Sequence, residues 1–62
     1  MFEFVVVTEH PRYGRGERLF GSYEEARQVF EASKESGQFH RVNLEQLLHN
    51  VRVRIDQWSI SY

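Results

Sequence analysis

The stretch Ser22–Gly37 reads SYEEARQVFEASKESG, and only in this segment do a start signal, a helical period and a stop signal agree. Ser22 and Glu25 have the spacing of a capping box, in which each side chain satisfies a free amide of the first helical turn. Gly37 can take the left-handed conformation that commonly ends a helix. The apolar side chains of this helix, together with one serine, lie on about a third of its circumference. They are Tyr23, Ala26, Val29, Phe30 and Ser33. The sequence therefore predicts one amphipathic helix.

Size and composition bound what this helix can belong to. The chain has 62 residues and no cysteine, so we expect one domain over residues 1–62 without disulfides or thiolate zinc sites. Apolar residues make up 40% of the chain, which argues against disorder. A domain this small buries only about 60% of its unfolded surface and is marginally stable without help. Without disulfides or a zinc site, association with another chain is the remaining source of stability. We therefore expect a homodimer or a protein partner that completes the core.

The charge balance gives the chain no overall attraction for anionic partners. Eight basic and nine acidic residues give a formal net charge of −1, so the chain as a whole does not attract nucleic acid or an anionic membrane. The segment MFEFVVVTEH lacks the basic start of a signal peptide, and no apolar run reaches the ~20 residues that span a bilayer. We expect a cytoplasmic protein with no membrane partner.

The segments before and just after the helix have strand patterns. Phe2–Thr8 is aromatic and β-branched, with apolar residues on both faces, which is typical of a central strand or of one covered by a second subunit. Glu9–Glu17 contains a proline and two glycines and predicts a loop. Arg18–Gly21 can then pair back on the first strand. Beyond the helix, Gln38–Val42 resumes a period typical of strands.

The C-terminal third has the least regular pattern. Leu44–His49 follows residues with cap spacing and predicts a single helical turn that Asn50 closes. Val51–Ile55 alternates cleanly, but the phase changes at Asp56–Gln57. Beyond this point the large apolar side chains occupy even positions: Trp58, Ile60 and Tyr62. A one-residue bulge would bring both apolar sets to one face, whereas an unbulged strand would serve a second apolar surface.

Together these segments predict an α+β fold with the element order β-β-α-β-β, in which one amphipathic helix packs on a small, mainly antiparallel sheet. A single helix covers only one sheet face. The apolar residues left over for the other face are Val5, Val7, Phe39 and Trp58. The uncovered face must therefore be polar or meet a partner. Since exposed apolar patches usually mark interaction sites, we expect a partner on that face. We expect the end of the last strand to form an oligomer interface through Trp58, Ile60 and Tyr62, although Trp58 also suits the core.

A run of arginines between the first two strands is the most suggestive polar segment. The candidate partner-binding residues of this loop are Arg12, Tyr13, Arg15 and Arg18. Arginines beside an aromatic residue can hold a phosphate or stack on a base. The glycine spacing does not match a phosphate-binding loop, however. The alternative is a solvated hairpin loop whose arginines pair with neighbouring glutamates.

A second candidate surface is an acidic ridge on the solvent side of the helix, formed by Glu24, Glu31 and Glu35. Arg27 and Lys34 flank this ridge, and Arg27 lies one turn before Glu31. The ridge is either a solvated face with local ion pairs or a contact for a basic partner.

Nothing in the chain predicts catalysis. The three histidines, His10, His40 and His49, lie in different elements without the spacing of a metal site. The serines have no nucleophile elbow. A domain of this size also has little room for a pocket that excludes water. We therefore predict no catalytic residue, no metal and no cofactor, and we do not expect an enzyme.

In character the chain resembles the very small, cysteine-free inhibitor proteins of bacteriophages and prophages, among them the anti-CRISPR and other host-takeover proteins. The resemblance rests on size and on a single helix between strands, in the segments FEFVVVT, SYEEARQVFEASKES and VRVRIDQWSISY. It implies an inhibitor in the host cytoplasm that blocks a host defence or regulatory protein by occupying its surface. Such proteins share no motif, so the resemblance assigns no residue a role.

Three functions remain open from the sequence. The first is a non-catalytic protein-interaction module. The second is a small RNA- or DNA-binding protein that uses the loop arginines, with Arg41, Arg52 and Arg54 on the strands. The third is a small metal-independent nuclease-like enzyme with a histidine base.

Overall fold

One helix lies across a four-stranded antiparallel sheet in the computed structural model, which describes residues 2–60. The strands are β1 (Phe4–His10), β2 (Gly14–Phe20), β3 (Arg41–Leu48) and β4 (Val51–Ser59). The helix α1 (Tyr23–Ser36) connects β2 to β3. The strands lie side by side in the order β2-β1-β3-β4. The predicted α+β fold and its element order are confirmed, and β1 is a central strand.

The helix begins and ends where its sequence signals predict. The Ser22 Oγ accepts a hydrogen bond from the Glu25 amide over 3.2 Å, which satisfies one of the free donors of the first turn. Gly37 ends the helix with a φ of 73°, a left-handed conformation that costs glycine little. Ala26 and Phe30 are the buried residues of the apolar stripe.

The predicted loop Glu9–Glu17 is wrong, because most of it belongs to strands. β1 continues to His10 and β2 begins at Gly14, so the connection is the three-residue turn 11–13. Residues that read as loop signals in the sequence lie in a regular ladder, in which His10 opposes Gly14 and Thr8 opposes Gly16.

Local hydrogen bonds explain why this hairpin is so tight. The His10 Nδ1 accepts from the backbone amides of Arg12 (2.9 Å) and Tyr13 (3.1 Å). Gly14 follows with a φ of 86°, as in three-residue hairpin loops that end on a left-handed residue. The imidazole therefore holds the turn closed from within.

The predicted helical turn Leu44–His49 is also wrong. β3 runs through this segment to Leu48, and the chain reverses over His49 and Asn50, whose φ angles are 48° and 67°. Two successive positive φ angles are typical of a type I′ turn, the two-residue connection that suits the twist of antiparallel strands. Leu44 opposes Val6 in the ladder and is fully buried, so pairing with β1 outweighs the local cap spacing.

The last strand contains the bulge that the change of phase suggested, one residue earlier than expected. Leu44 opposes Asp56, whereas Glu45 opposes Arg54, so Ile55 is the extra residue. The bulge keeps the apolar positions before it, Val51 and Val53, and the one after it, Trp58, on the same side of the sheet, which faces the helix.

The core lies between the helix and the sheet. Its buried members are Phe4, Val6, Phe20, Ala26, Phe30, Val42 and Leu44. Three partly buried residues pack around them: Val29, Phe39 and Trp58. The helix packs mainly on β1, β2 and β3, which leaves much of β4 uncovered on the helix side.

Candidate functional site

The sheet face turned away from the helix, here called the open face, is dominated by ion pairs. The register of the four strands places four arginines and three glutamates on it: Arg15, Arg41, Arg52, Arg54, Glu9, Glu17 and Glu45. In the middle of this polar surface lie Val5 and Val7, which are only 0% and 3% exposed. Two valines are therefore buried on a face that no helix covers.

A bidentate ion pair across the sheet accounts for this burial. The Nη1 and Nη2 atoms of Arg52 donate to the two carboxylate oxygens of Glu17, each over 2.9 Å. Arg15 donates to Glu17 over 2.9 Å, and Arg52 also contacts Glu45 over 3.3 Å. Glu17 belongs to one edge strand and Arg52 to the other, so the side chains must lie across β1 and β3. The aliphatic parts of these side chains cover Val5 and Val7.

This ion pair predicts a specific pH dependence of stability. The hydrogen bond from Arg52 is the largest influence on the pKa of Glu17 and holds it below the ordinary value of 4.5. The stabilisation is therefore present above that value and is lost as the pH falls through the lower pKa of the folded protein. We expect the wild type to be more stable than Glu17→Gln at neutral pH, and the difference to shrink in acid. Thermal unfolding of both proteins across this pH range measures it.

Asp56 does not contribute to the pH dependence of this stability difference. Hydrogen bonds from the Gln57 amide and from Arg27 lower its pKa as well, but this carboxylate titrates in both proteins and cancels in their difference. A difference between the wild type and Glu17→Gln that stays constant with pH would contradict the role given to the Glu17 carboxylate.

The single chain thus accounts for the apolar residues that the sequence analysis assigned to a partner. Val5 and Val7 are buried beneath the ion pairs of the open face. Phe39 and Trp58 lie on the other side of the sheet and pack against the core. The expectation that these four residues need a partner is therefore wrong, because long charged side chains cover Val5 and Val7, and Phe39 and Trp58 are partly buried against the core.

The predicted arginine loop is not one site. Arg12 and Tyr13 lie in the turn, where the Arg12 guanidinium is 5.9 Å from the centre of the Tyr13 ring. Arg15 lies on the open face in an ion pair with Glu17. Arg18 opposes a residue of the helix side and so points to the opposite face of β2. The turn keeps Arg12 and Tyr13 as a candidate contact, and the other two arginines serve different surfaces.

Of the three glutamates of the acidic ridge on the helix, one forms ion pairs. Glu31 lies between Arg27 (3.3 Å) and Lys34 (3.1 Å). Glu24 accepts a hydrogen bond from the Ser22 hydroxyl, and Glu35 is exposed. These contacts agree with a solvated helix face that has local pairs, and a basic partner for it stays a prediction.

The proposed oligomer interface at the end of the chain is only partly described. Trp58 opposes Val42 and is half-buried against the core. The Ile60 amide donates to the His40 carbonyl over 3.0 Å, while the Ile60 side chain is 37% exposed. Tyr62 lies outside the described residues. A role for Ile60 and Tyr62 in oligomer contacts stays a prediction.

Sequence reasoning missed an apolar surface at the tip of the β3–β4 hairpin, here called the hairpin patch. It consists of four side chains that are 43–61% exposed: Phe2, Leu48, Val51 and Val53. Leu48 opposes Val51, and the register of β1 on β3 brings Phe2 level with Leu48, so these three form a row across the sheet. The sequence analysis missed this row because it predicted a helical turn over Leu44–His49, in which Leu48 does not pair with Val51.

The hairpin patch lies next to a free strand edge. β4 is the outermost strand on its side of the sheet, and its outer edge pairs with no other strand within residues 2–60. The molecule measures 35 × 20 × 19 Å, and the helix leaves the tip of the hairpin uncovered. Apolar side chains and unpaired backbone groups therefore occur together at this place.

The side chains considered above for metal binding and for a histidine base lie apart in the described part of the chain. No three His, Cys, Asp or Glu side chains among residues 2–60 approach closely enough to hold a metal ion. The histidines suggested for a nuclease-like enzyme lie apart: His10 closes the first hairpin, His40 is 3.6 Å from Glu9, and His49 is in the second turn.

No helix within the described range is long and apolar enough to cross a membrane. Comparisons of the chain with protein-family models, with curated proteins and with solved structures find no match.

Proposed function

We propose that this chain is a non-catalytic protein-interaction module that binds its partner through the hairpin patch and the adjoining edge of β4. The observation that carries the proposal is the exposed apolar row of Phe2, Leu48 and Val51, with Val53 beside it. Large exposed apolar patches on small domains usually mark interaction sites. Unpaired strand edges commonly accept a strand from a partner.

The resemblance to phage-encoded inhibitors suggests how such a module would act. In this proposal the chain blocks a host defence or regulatory protein, in the host cytoplasm, by occupying its surface. Such a mechanism needs apolar contact area and no catalytic group, and the hairpin patch supplies that area. The fold supports it further, because Val5 and Val7 are buried within the single chain, whereas the hairpin patch on the helix side of the sheet is left uncovered.

A variant of the patch tests the proposal. We expect the triple replacement Phe2→Ser, Leu48→Thr and Val51→Thr to weaken capture of the partner from a host lysate at least about tenfold, because each change removes exposed apolar contact area. The matched control is Leu19→Thr, since Leu19 is 49% exposed on β2, the edge strand on the far side of the sheet. It should capture the same protein as the wild type does.

The outcomes separate the possible partners. A protein retained by the wild type and by Leu19→Thr, but lost by the triple variant, supports the proposal. Equal capture by the triple variant contradicts it. Sedimentation equilibrium of the wild type at micromolar concentration tests the homodimer separately, since a dimer that the triple variant dissociates would make a second copy the partner of the patch.

A nucleic-acid-binding function is the second candidate, and one observation favours it. Arg15, Arg41, Arg52 and Arg54 come from three strands and share the open face. Three glutamates lie among them, which weakens the attraction for phosphate. Labelled RNA and DNA provide the test: affinity that falls steeply with salt would support this function, because phosphate contacts release counterions.

A further inference from the structure

We propose that the edge of β4 binds an extended, acidic segment of a partner protein, in which glutamate or aspartate alternates with apolar residues. The inference rests on the proposed function and deepens it by naming the chemistry of the partner. It follows from the free edge, from the division of β4 between two faces and from one uncompensated charge.

The first step concerns the part of β4 that can accept a strand. Val51–Arg54 is a regular run of four residues between the turn at Asn50 and the bulge at Ile55. The bulge interrupts the ladder and bends the strand, so regular pairing with a new strand is confined to this run. A short extended segment fits such an edge better than a long strand does.

The second step concerns the side chains that an added strand would meet. Val51 and Val53 lie on the helix side of the sheet and are 59% and 43% exposed. Arg52 and Arg54 alternate with them on the open face. Because directly opposed side chains on neighbouring strands contact each other, the partner strand needs apolar residues beside the valines and anionic residues beside the arginines.

The third step concerns the charge that calls for an acid. Arg52 already binds Glu17 and Glu45. Glu45 opposes Arg54 on β3 but forms its ion pair with Arg52, and no carboxylate among residues 2–60 lies within ion-pair distance of Arg54. The Nη1 of Arg54 instead donates over 2.6 Å to the amide oxygen of Gln57, which is neutral. Arg54 therefore presents an exposed positive charge at the free edge, and a partner carboxylate would compensate it.

The same charges oppose a second copy of this chain. In an antiparallel pair of β4 strands related by a two-fold axis at Val53, Arg52 of each copy would face Arg54 of the other. Like charges directly opposite each other destabilise a strand pair.

Synthetic peptides test the inference directly. The probe is a fluorescent peptide with three Val-Glu repeats between short Gly-Ser ends, and the matched peptide has lysine in place of each glutamate. We expect the acidic peptide to bind and to shift the backbone amide resonances of Val51–Arg54. The lysine peptide should bind at least about tenfold more weakly, because it opposes like charges.

Two variants locate the charge that matters. Arg54→Gln should weaken the acidic peptide about two- to fivefold at low salt, as expected for an exposed ion pair. Arg41→Gln is the control, since Arg41 is a 48% exposed arginine of β3 that lies opposite Ser59, at the far end of β4 from this run. It should leave the affinity unchanged.

Several results would overturn the inference. They are no binding of the acidic peptide at millimolar concentration, equal binding of the lysine peptide, equal affinity in Arg54→Gln, and resonance shifts that map away from β4. A dimer of the free chain with cross-links between β4 strands would also overturn it, because a second copy would then occupy the edge. Loss of peptide binding with patch-dependent partner capture intact would refute this inference and leave the proposed function standing.

Discussion

Replacing Phe30 with alanine is expected to leave the chain largely unfolded at physiological temperature. Phe30 is 0% exposed and is the largest fully buried side chain of the core. Truncating a buried phenylalanine costs about 3–5 kcal/mol, because it removes apolar contacts and leaves a cavity. At about 0.05–0.15 kcal/mol per residue, a domain of this length has roughly 3–9 kcal/mol in total. One truncation therefore removes a large part of the stability.

Near-ultraviolet circular dichroism and urea unfolding measure this effect. The control is Gln28→Ala on the exposed side of the same helix, which should change the free energy of unfolding by no more than about 0.5 kcal/mol. If Phe30→Ala kept the native dichroism and the urea midpoint of Gln28→Ala, the helix would have to pack on the sheet through a different face.

The helix was predictable because the signals that define it are local. Ser22 and Gly37 act within one turn of the helix ends, and the structure shows both in the predicted roles. Ala26 and Phe30 are buried because the apolar stripe has only one sheet to pack against. No information from distant parts of the chain was needed for this element.

The strand ends were not predictable in the same way, because distant residues decide them. Gly14 and Gly16 look like loop residues, yet hydrogen bonding to β1 holds both in a ladder. Leu44 follows residues with helical cap spacing, yet it pairs with Val6 and is buried in the core. Each local preference amounts to about 1 kcal/mol or less, and strand pairing with burial exceeds it.

The candidate site depended on the strand order, which alternation along one strand does not reveal. The sequence showed Arg52 on a charged side of the last strand, but its partner Glu17 is 35 residues away on the opposite edge. Without this ion pair, Val5 and Val7 looked like the surface that a partner must cover. With it, both are internal, and the exposed apolar surface lies at the hairpin tip around Leu48.

The burial of these two valines helps to explain how so small a chain without cysteine is stable. The helix side supplies a conventional apolar core. The open face adds a second, thinner layer in which Arg52 and Glu17 lie over the valines of the central strand. Ion pairs in solvent contribute little by their charges alone. Their main role here is to keep water from β1, which makes the valines beneath them the sensitive positions.

Replacing Val5 with aspartate is therefore expected to prevent folding at neutral pH. Val5 is 0% exposed and lies between Leu19 and Glu45 on the open face, so the new carboxylate would be buried beside a like charge, and the arginine beside Glu45, Arg52, is already paired with Glu17 and Glu45. Burying an unpaired charge costs several kcal/mol, about as much as the whole domain has. Far-ultraviolet circular dichroism and size-exclusion chromatography measure the result.

The matched control is Val53→Asp on β4, where the 43% exposed side chain should leave the fold intact because water solvates the carboxylate. If Val5→Asp folded as well as Val53→Asp, water would reach β1 beneath the ion pairs, and the open face would again need a partner to cover it.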